Sequence, residues 1–99
     1  MVSAASLVGT AGTFKVLPGI EARVGRDGTQ CTLAFAEPRI SGVHATLKLE
    51  GATLMVRDDR SHNGTFVNGN RIPPGTWTPV PPGSQLRFGP IEFAVRIES

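Results

Sequence analysis

Two Asn-Gly dipeptides lie five residues apart in Ser61-His62-Asn63-Gly64-Thr65-Phe66-Val67-Asn68-Gly69, around the single apolar pair Phe66-Val67. Asn-Gly accepts positive φ at both centres of a tight turn, so the segment reads as a rigid polar loop. Such a loop holds side chains and backbone N–H groups in fixed directions, as a site for a charged group requires. Two further polar segments stand upstream, Gly25-Arg26-Asp27-Gly28 and Arg39-Ile40-Ser41-Gly42-Val43-His44. Arg26 offers a planar fork of donors and Ser41 a rotatable hydroxyl, a combination suited to carboxylate or phosphate. Ser41, His44 and Asp58 are also the residue types of a hydrolytic triad. No Gly-x-Ser-x-Gly elbow accompanies them, and a serine and histidine three residues apart on one segment rarely meet in nucleophile–base geometry. No catalytic residue is therefore expected. Two histidines and one cysteine at unrelated spacings give no metal-ligand set, and neither a metal nor another cofactor is expected.

The elements that must carry these groups have a period of two. Residues 45–50 alternate, Gly51 interrupts, and 54–58 follow at hairpin distance. Residues 85–88 alternate, stop at Gly89-Pro90, and resume over 91–97; shorter candidates are 6–8, 13–17, 21–24 and 32–35. No stretch of about ten residues free of Gly and Pro keeps a helical face. Many short strands separated by frequent turn residues predict an all-β sandwich. Pro73-Pro74-Gly75 and residues 79–83 read as turn or edge segments, because proline cannot donate into a central ladder.

A chain of 99 residues makes one domain with one core. Phe35, Phe66, Phe88 and Phe93 are core candidates, Cys31 a small buried hydrophobe, and Trp77 an edge or core anchor. The single cysteine excludes an intrachain disulfide. A net charge of +2, with only Lys15 and Lys48 as lysines, lacks the dense basic clustering of a nucleic-acid binder, and no aromatic stacking stripe accompanies it. No window approaches the ~18 apolar residues of a membrane helix, and residues 1–12 lack the basic start of a signal peptide.

Gly25-Arg26, Ser41-x-x-His44 and Asp58-x-x-Ser61-x-Asn63-Gly64-Thr65-x-x-Asn68-Gly69 resemble, in order and spacing, the pattern of the forkhead-associated (FHA) domain. The later Gly83-Ser84-Gln85-Leu86-Arg87-Phe88-Gly89 is similar to its closing segment. The resemblance covers about residues 13–97, with 1–12 as a lead-in carrying a first strand and 98–99 as the C-terminal end. It implies an eleven-stranded antiparallel β-sandwich of the SMAD/FHA type, with loops at one end that bind phosphothreonine peptides. The implied partner is a protein phosphorylated by a Ser/Thr kinase, or a phosphorylated segment of the parent chain; neither nucleic acid nor membrane is expected. A phosphate brings about −1.5 to −2 charges and three acceptor oxygens, and by the resemblance Arg26 and Ser41 meet it. Asn63 would bond the peptide backbone. Arg39 matches a position that reads side chains C-terminal to the phosphothreonine, so an acidic residue is the expected preference there. Gly42 and Asn68 are grouped with the peptide-binding residues, although Asn68 could equally serve only its turn. Gly25, His44, Asp58, Ser61, Gly64, Thr65 and Gly69 would support the loops, His44 by hydrogen bonding between them. A preference for threonine over serine would need an apolar slot for one methyl, worth about 0.8 kcal/mol.

Two positions depart from the pattern. Residue 42 is often Asn in phosphopeptide readers and is Gly42 here; residue 62 often carries a Ser or Thr hydroxyl and is His62 here. His62 either joins Arg26 and Ser41 at the phosphate or points into solvent. In the first case an imidazolium adds charge, while the phosphate's second pKa of about 6 works the other way, so affinity should peak at mildly acidic pH. The departures leave room for a phospho-independent scaffold of the same fold, for example in a bacterial secretion or signalling complex. Arg26 discriminates, because such an interface has no need of it there. The Ala/Gly/Arg/Pro-rich usage points to a high-GC bacterial source, a cytoplasmic setting is expected because the lone Cys31 demands no oxidising compartment, and an FHA unit of this size is often one part of a longer chain.

Overall fold

The computed structural model describes residues 2–99, folded as eleven strands in two sheets. The six-stranded sheet runs β2 (Gly12–Val16), β1 (Ala4–Gly9), β11 (Ile91–Glu98), β10 (Gln85–Phe88), β7 (Thr65–Val67) and β8 (Asn70–Arg71). The five-stranded sheet runs β4 (Leu33–Ala34), β3 (Ala22–Gly25), β5 (Ala45–Glu50), β6 (Thr53–Asp58) and β9 (Thr78–Val80). The expectation of an antiparallel sandwich needs one correction: β3 and β4 pair in parallel, with Val24 opposite Leu33. Loop 26–32 carries the chain back alongside Val24 before it resumes in the same direction. β1 is an interior strand, pairing with both β2 and β11.

Alternation makes these sheets two-faced. In the β5–β6 hairpin, turned by Gly51 at φ +58°, Leu47, Leu49, Leu54 and Val56 are buried while Lys48, Met55 and Arg57 are half-buried on the other face. Each fully buried Leu or Val contributes roughly 1.5–3 kcal/mol. Leu7, Leu86, Phe88, Phe93 and Val95 of the other sheet complete the core. Phe14, Phe35 and Phe88 all stack against Phe93, with centroids 5.8–6.2 Å apart.

Phe66 stands outside this core, contrary to expectation. In three-residue β7 the inward place goes to Thr65, which is fully buried, and Phe66 faces out beneath the Arg87 guanidinium, 3.8 Å from the ring centroid. Trp77 is half-exposed, between Lys48 Nζ at 4.1 Å and Arg57 Cζ at 4.8 Å from its ring. Pro79 lies in β9, an edge strand, where its missing donor is harmless.

Candidate functional site

Three loops meet at one end of the sandwich: 26–32 between β3 and β4, 35–44 between β4 and β5, and 59–64 between β6 and β7. Their backbones are laced together. Arg26 N–H donates to Ser41 O (3.0 Å) and Asp27 N–H to Gly42 O (3.1 Å). From the third loop, His62 N–H donates to Ser41 Oγ (2.9 Å) and Asn63 Nδ2 to Arg39 O (2.7 Å). The first two loops approach so closely that a Cβ on Gly25 would run into the Gly42 carbonyl and lie 2.7 Å from Cys31 Sγ. Glycine is required there by proximity rather than by φ.

Beneath the loops lies a buried polar brace. His44 is fully buried; Ser41 N–H donates to its Nδ1 (3.2 Å) and its Nε2 lies 2.8 Å from Gly64 O. An accepting Nδ1 puts the proton on Nε2, which donates to that carbonyl. Burial holds the imidazole's pKa below its ordinary 6.5, although the Gly64 carbonyl and the Asp58 and Asp59 charges pull the other way. Buried Asp58 accepts from Ser61 N–H (3.1 Å), Ser61 Oγ (2.5 Å) and Thr65 Oγ1 (2.7 Å). Ser61 Oγ in turn accepts from Gly64 N–H (3.0 Å). Every polar group in this brace has a partner, so the loops above it are held in one arrangement. Asp27 stiffens the first loop, accepting from Thr29 N–H, Thr29 Oγ1 and Gln30 Nε2, and these bonds lower its pKa.

The loops enclose an open cleft of about 310 Å³, lined by Arg26, Arg39, Ser41, Gly42, His62 and Asn63 with Pro38 and Ile40. Arg26 Nη1 donates to Pro38 O (2.9 Å), which orients the guanidinium and leaves its other donors for a ligand. Ser41 Oγ accepts from His62 N–H, so its own proton is free to be donated into the cleft. Arg39 is engaged within its own loop: Nε lies 2.9 Å from Glu37 Oε1, which also accepts from Arg39 N–H (3.1 Å). The Arg39 hydrogen bonds lower the Glu37 pKa. The cleft is thus a shallow cradle of N–H and O–H donors with positive charge at Arg26, suited to a multivalent oxyanion.

The family model of the FHA domain matches residues 22–89. The chain belongs to the FHA domain family. FHA domains are non-catalytic phosphopeptide-binding modules. Among relatives, the E3 ubiquitin-protein ligase rnf8 of Danio rerio is 41% identical over 61 residues, which span 54% of this chain and 13% of that protein. The chain therefore spans a small part of that relative's length. Similar solved structures include the FHA domain of an Arabidopsis thaliana hypothetical protein, at TM-score 0.88, 24% identity, and coverage of 98% of this chain and 87% of that one. The MEK1 FHA domain in complex with a phosphothreonine peptide of HOP1 has TM-score 0.85 and 22% identity, over 99% and 100% of the two chains. Mycobacterium tuberculosis EmbR in complex with a low affinity phosphopeptide has TM-score 0.85 and 23% identity, over 98% of this chain and 25% of that one. At these identities the likeness to the solved structures is one of fold.

Six of the seven candidate ligand-binding residues read from the sequence line the same cleft: Arg26, Arg39, Ser41, Gly42, His62 and Asn63. Asn68 is elsewhere. Its Oδ1 accepts from Gln85 N–H (2.8 Å) and its Nδ2 donates to Ser84 Oγ (3.3 Å), while its own φ of +50° and the +82° of Gly69 make the β7–β8 turn. Its side chain ties that turn to the start of β10. The triad types do not assemble: the Ser41 hydroxyl meets His62 N–H rather than the His44 ring, and Asp58 bonds Ser61 and Thr65. Sequence reasoning missed Glu37, although an acid and a base on either side of Pro38 were a signal for the intraloop pair.

Proposed function

We propose that the chain is a phosphothreonine-peptide recognition module, mediating phosphorylation-dependent protein–protein contact. The observation that carries this reading is the donor set of the cleft, in which the Arg26 fork and the Ser41 hydroxyl line one opening together with His62. The phosphate dianion sits against Arg26 and donates nothing itself, so it accepts from Arg26 and Ser41. Asn63, fixed through Arg39 O, presents the rest of its amide to the peptide backbone. The similar structures solved in complex with a phosphothreonine peptide and with a low affinity phosphopeptide support the choice of ligand class. The partner is a protein phosphorylated by a Ser/Thr kinase, or a phosphorylated segment of the parent chain.

The test is binding of a degenerate phosphothreonine peptide library, with phosphoserine and unphosphorylated counterparts, to wild type and Arg26→Ala. Hydrogen bonds to charged groups contribute roughly 1.5–3 kcal/mol each, so the variant should bind at least about tenfold more weakly. A folded protein with no phosphate-dependent binding would overturn the reading and leave the phospho-independent scaffold.

A further inference from the structure

The cations around the Asn63-Gly64 turn are unequally engaged. Arg39 is paired with Glu37. Arg87 stacks on Phe66, donates to Gly89 O (2.7 Å) and stands 4.0 Å from a Glu92 carboxylate oxygen. Arg71 differs. It lies opposite Phe66 in the β7–β8 ladder and is exposed. Among the described residues no carboxylate lies within ion-pair reach of it, and its guanidinium makes no hydrogen bond. Its head group lies over the Gly64 backbone: a Cβ built on Gly64 would be 2.7 Å from Arg71 Nε and 3.0 Å from Cζ. Gly64 directly follows Asn63, which lines the cleft. A fork of donors with no acceptor therefore stands against the residue that follows Asn63 of the cleft.

We infer that Arg71 is a specificity-determining residue of this site, selecting an acidic side chain of the bound phosphopeptide as the chain passes the β7–β8 edge. This rests on the phosphopeptide reading above. The geometry favours Arg71 over Arg39 for the task because a carboxylate approaching Arg39 must displace Glu37, whereas one approaching Arg71 displaces water alone. A planar guanidinium accepts an Asp or Glu carboxylate two-pronged, which ties the preference to one peptide position rather than to net charge.

The experiment uses phosphothreonine peptides in which Asp replaces Ala at each flanking position in turn. The ratio of the two Kd values is measured by fluorescence anisotropy for wild type, Arg71→Gln, Arg71→Lys and Arg96→Gln. The last removes the same charge from exposed β11. One position should favour Asp by about three- to fivefold in wild type, the upper range for an exposed ion pair. Arg71→Gln should bring the ratio to about one, Arg71→Lys should retain part of it, and Arg96→Gln should retain it. The inference is overturned if no position favours Asp, if the preference survives Arg71→Gln, or if Arg96→Gln lowers it equally. Loss of all phosphate-dependent binding in wild type would instead defeat the underlying reading, and Arg26-dependent binding without an Arg71-dependent preference defeats this inference alone.

Discussion

Replacing His44 by glutamine should change how stability depends on pH. In the folded protein burial holds the imidazole below its ordinary 6.5, and its Nδ1 must stay unprotonated to accept from Ser41 N–H. In the unfolded chain it titrates at about 6.5. Below that pH the unfolded state binds a proton that the folded state refuses, so stability falls as pH falls; above it the contribution is fully present. The limiting slope is about 1.4 kcal/mol per pH unit, continuing until the folded imidazole itself protonates. Protonation there would set an N–H on Nδ1 against the Ser41 N–H, so acid should also loosen the loop that presents Ser41 to the cleft. Glutamine does not titrate, so His44→Gln lacks this slope. At pH 7.5 the variant should already be less stable by about 1–3 kcal/mol, mainly because Ser41 N–H loses its acceptor. Gly64 O keeps the Gly89 N–H at 2.9 Å, so it is not orphaned. Urea unfolding followed by Trp77 fluorescence between pH 5 and 8 measures both effects. The carboxyls of Asp27 and Glu37, held below their ordinary 3.8 and 4.5, stay ionised across that window. Parallel stability curves for wild type and variant would refute the argument.

Three other substitutions follow from the loop geometry. Gly25→Ala forces a methyl into the Gly42 carbonyl and should cost about 1–3 kcal/mol by urea unfolding, with weaker phosphopeptide binding as the loop shifts; an unchanged midpoint would mean the loops yield. Gly42→Asn meets nothing within 4 Å of its new Cβ and places an amide donor at the rim of the cleft. It should tighten phosphopeptide binding about two- to tenfold by calorimetry, and no gain would mean that the rim does not face the ligand. Arg60 has φ +59°, a left-handed conformation that L side chains adopt at a cost of roughly 1–2 kcal/mol. Arg60→Gly should therefore raise stability by about 0.5–1 kcal/mol after the added freedom of the unfolded chain is subtracted; a lower unfolding midpoint would contradict this.

The two Asn-Gly dipeptides show how far sequence carries this fold. At Asn68-Gly69 both φ values are positive, the two-residue turn forms, and Val67 pairs with Asn70 as the dipeptide predicts. At Asn63-Gly64 only Gly64 turns left-handed, at φ +89°. There the Asn63 side chain is held by Arg39 O and Gly64 O by the buried His44, contacts from 20 and more residues away that override the local preference. Period two revealed β5, β6, β10 and β11, but β7, β8 and β9 have two or three residues each, too few to show a period. The cleft-lining Arg26, Ser41 and Asn63 were legible because their types and spacing are a motif. Arg71 was half legible: the Asn68-Gly69 turn fixes the register, and counting back from it sets Arg71 opposite Phe66. Its approach to Gly64 also required Phe66 to face outward, and that depended on buried Thr65 taking the inward place to reach Asp58. A hydrogen bond inside the brace thus accompanies the outward turn of Phe66, across from which Arg71 stands.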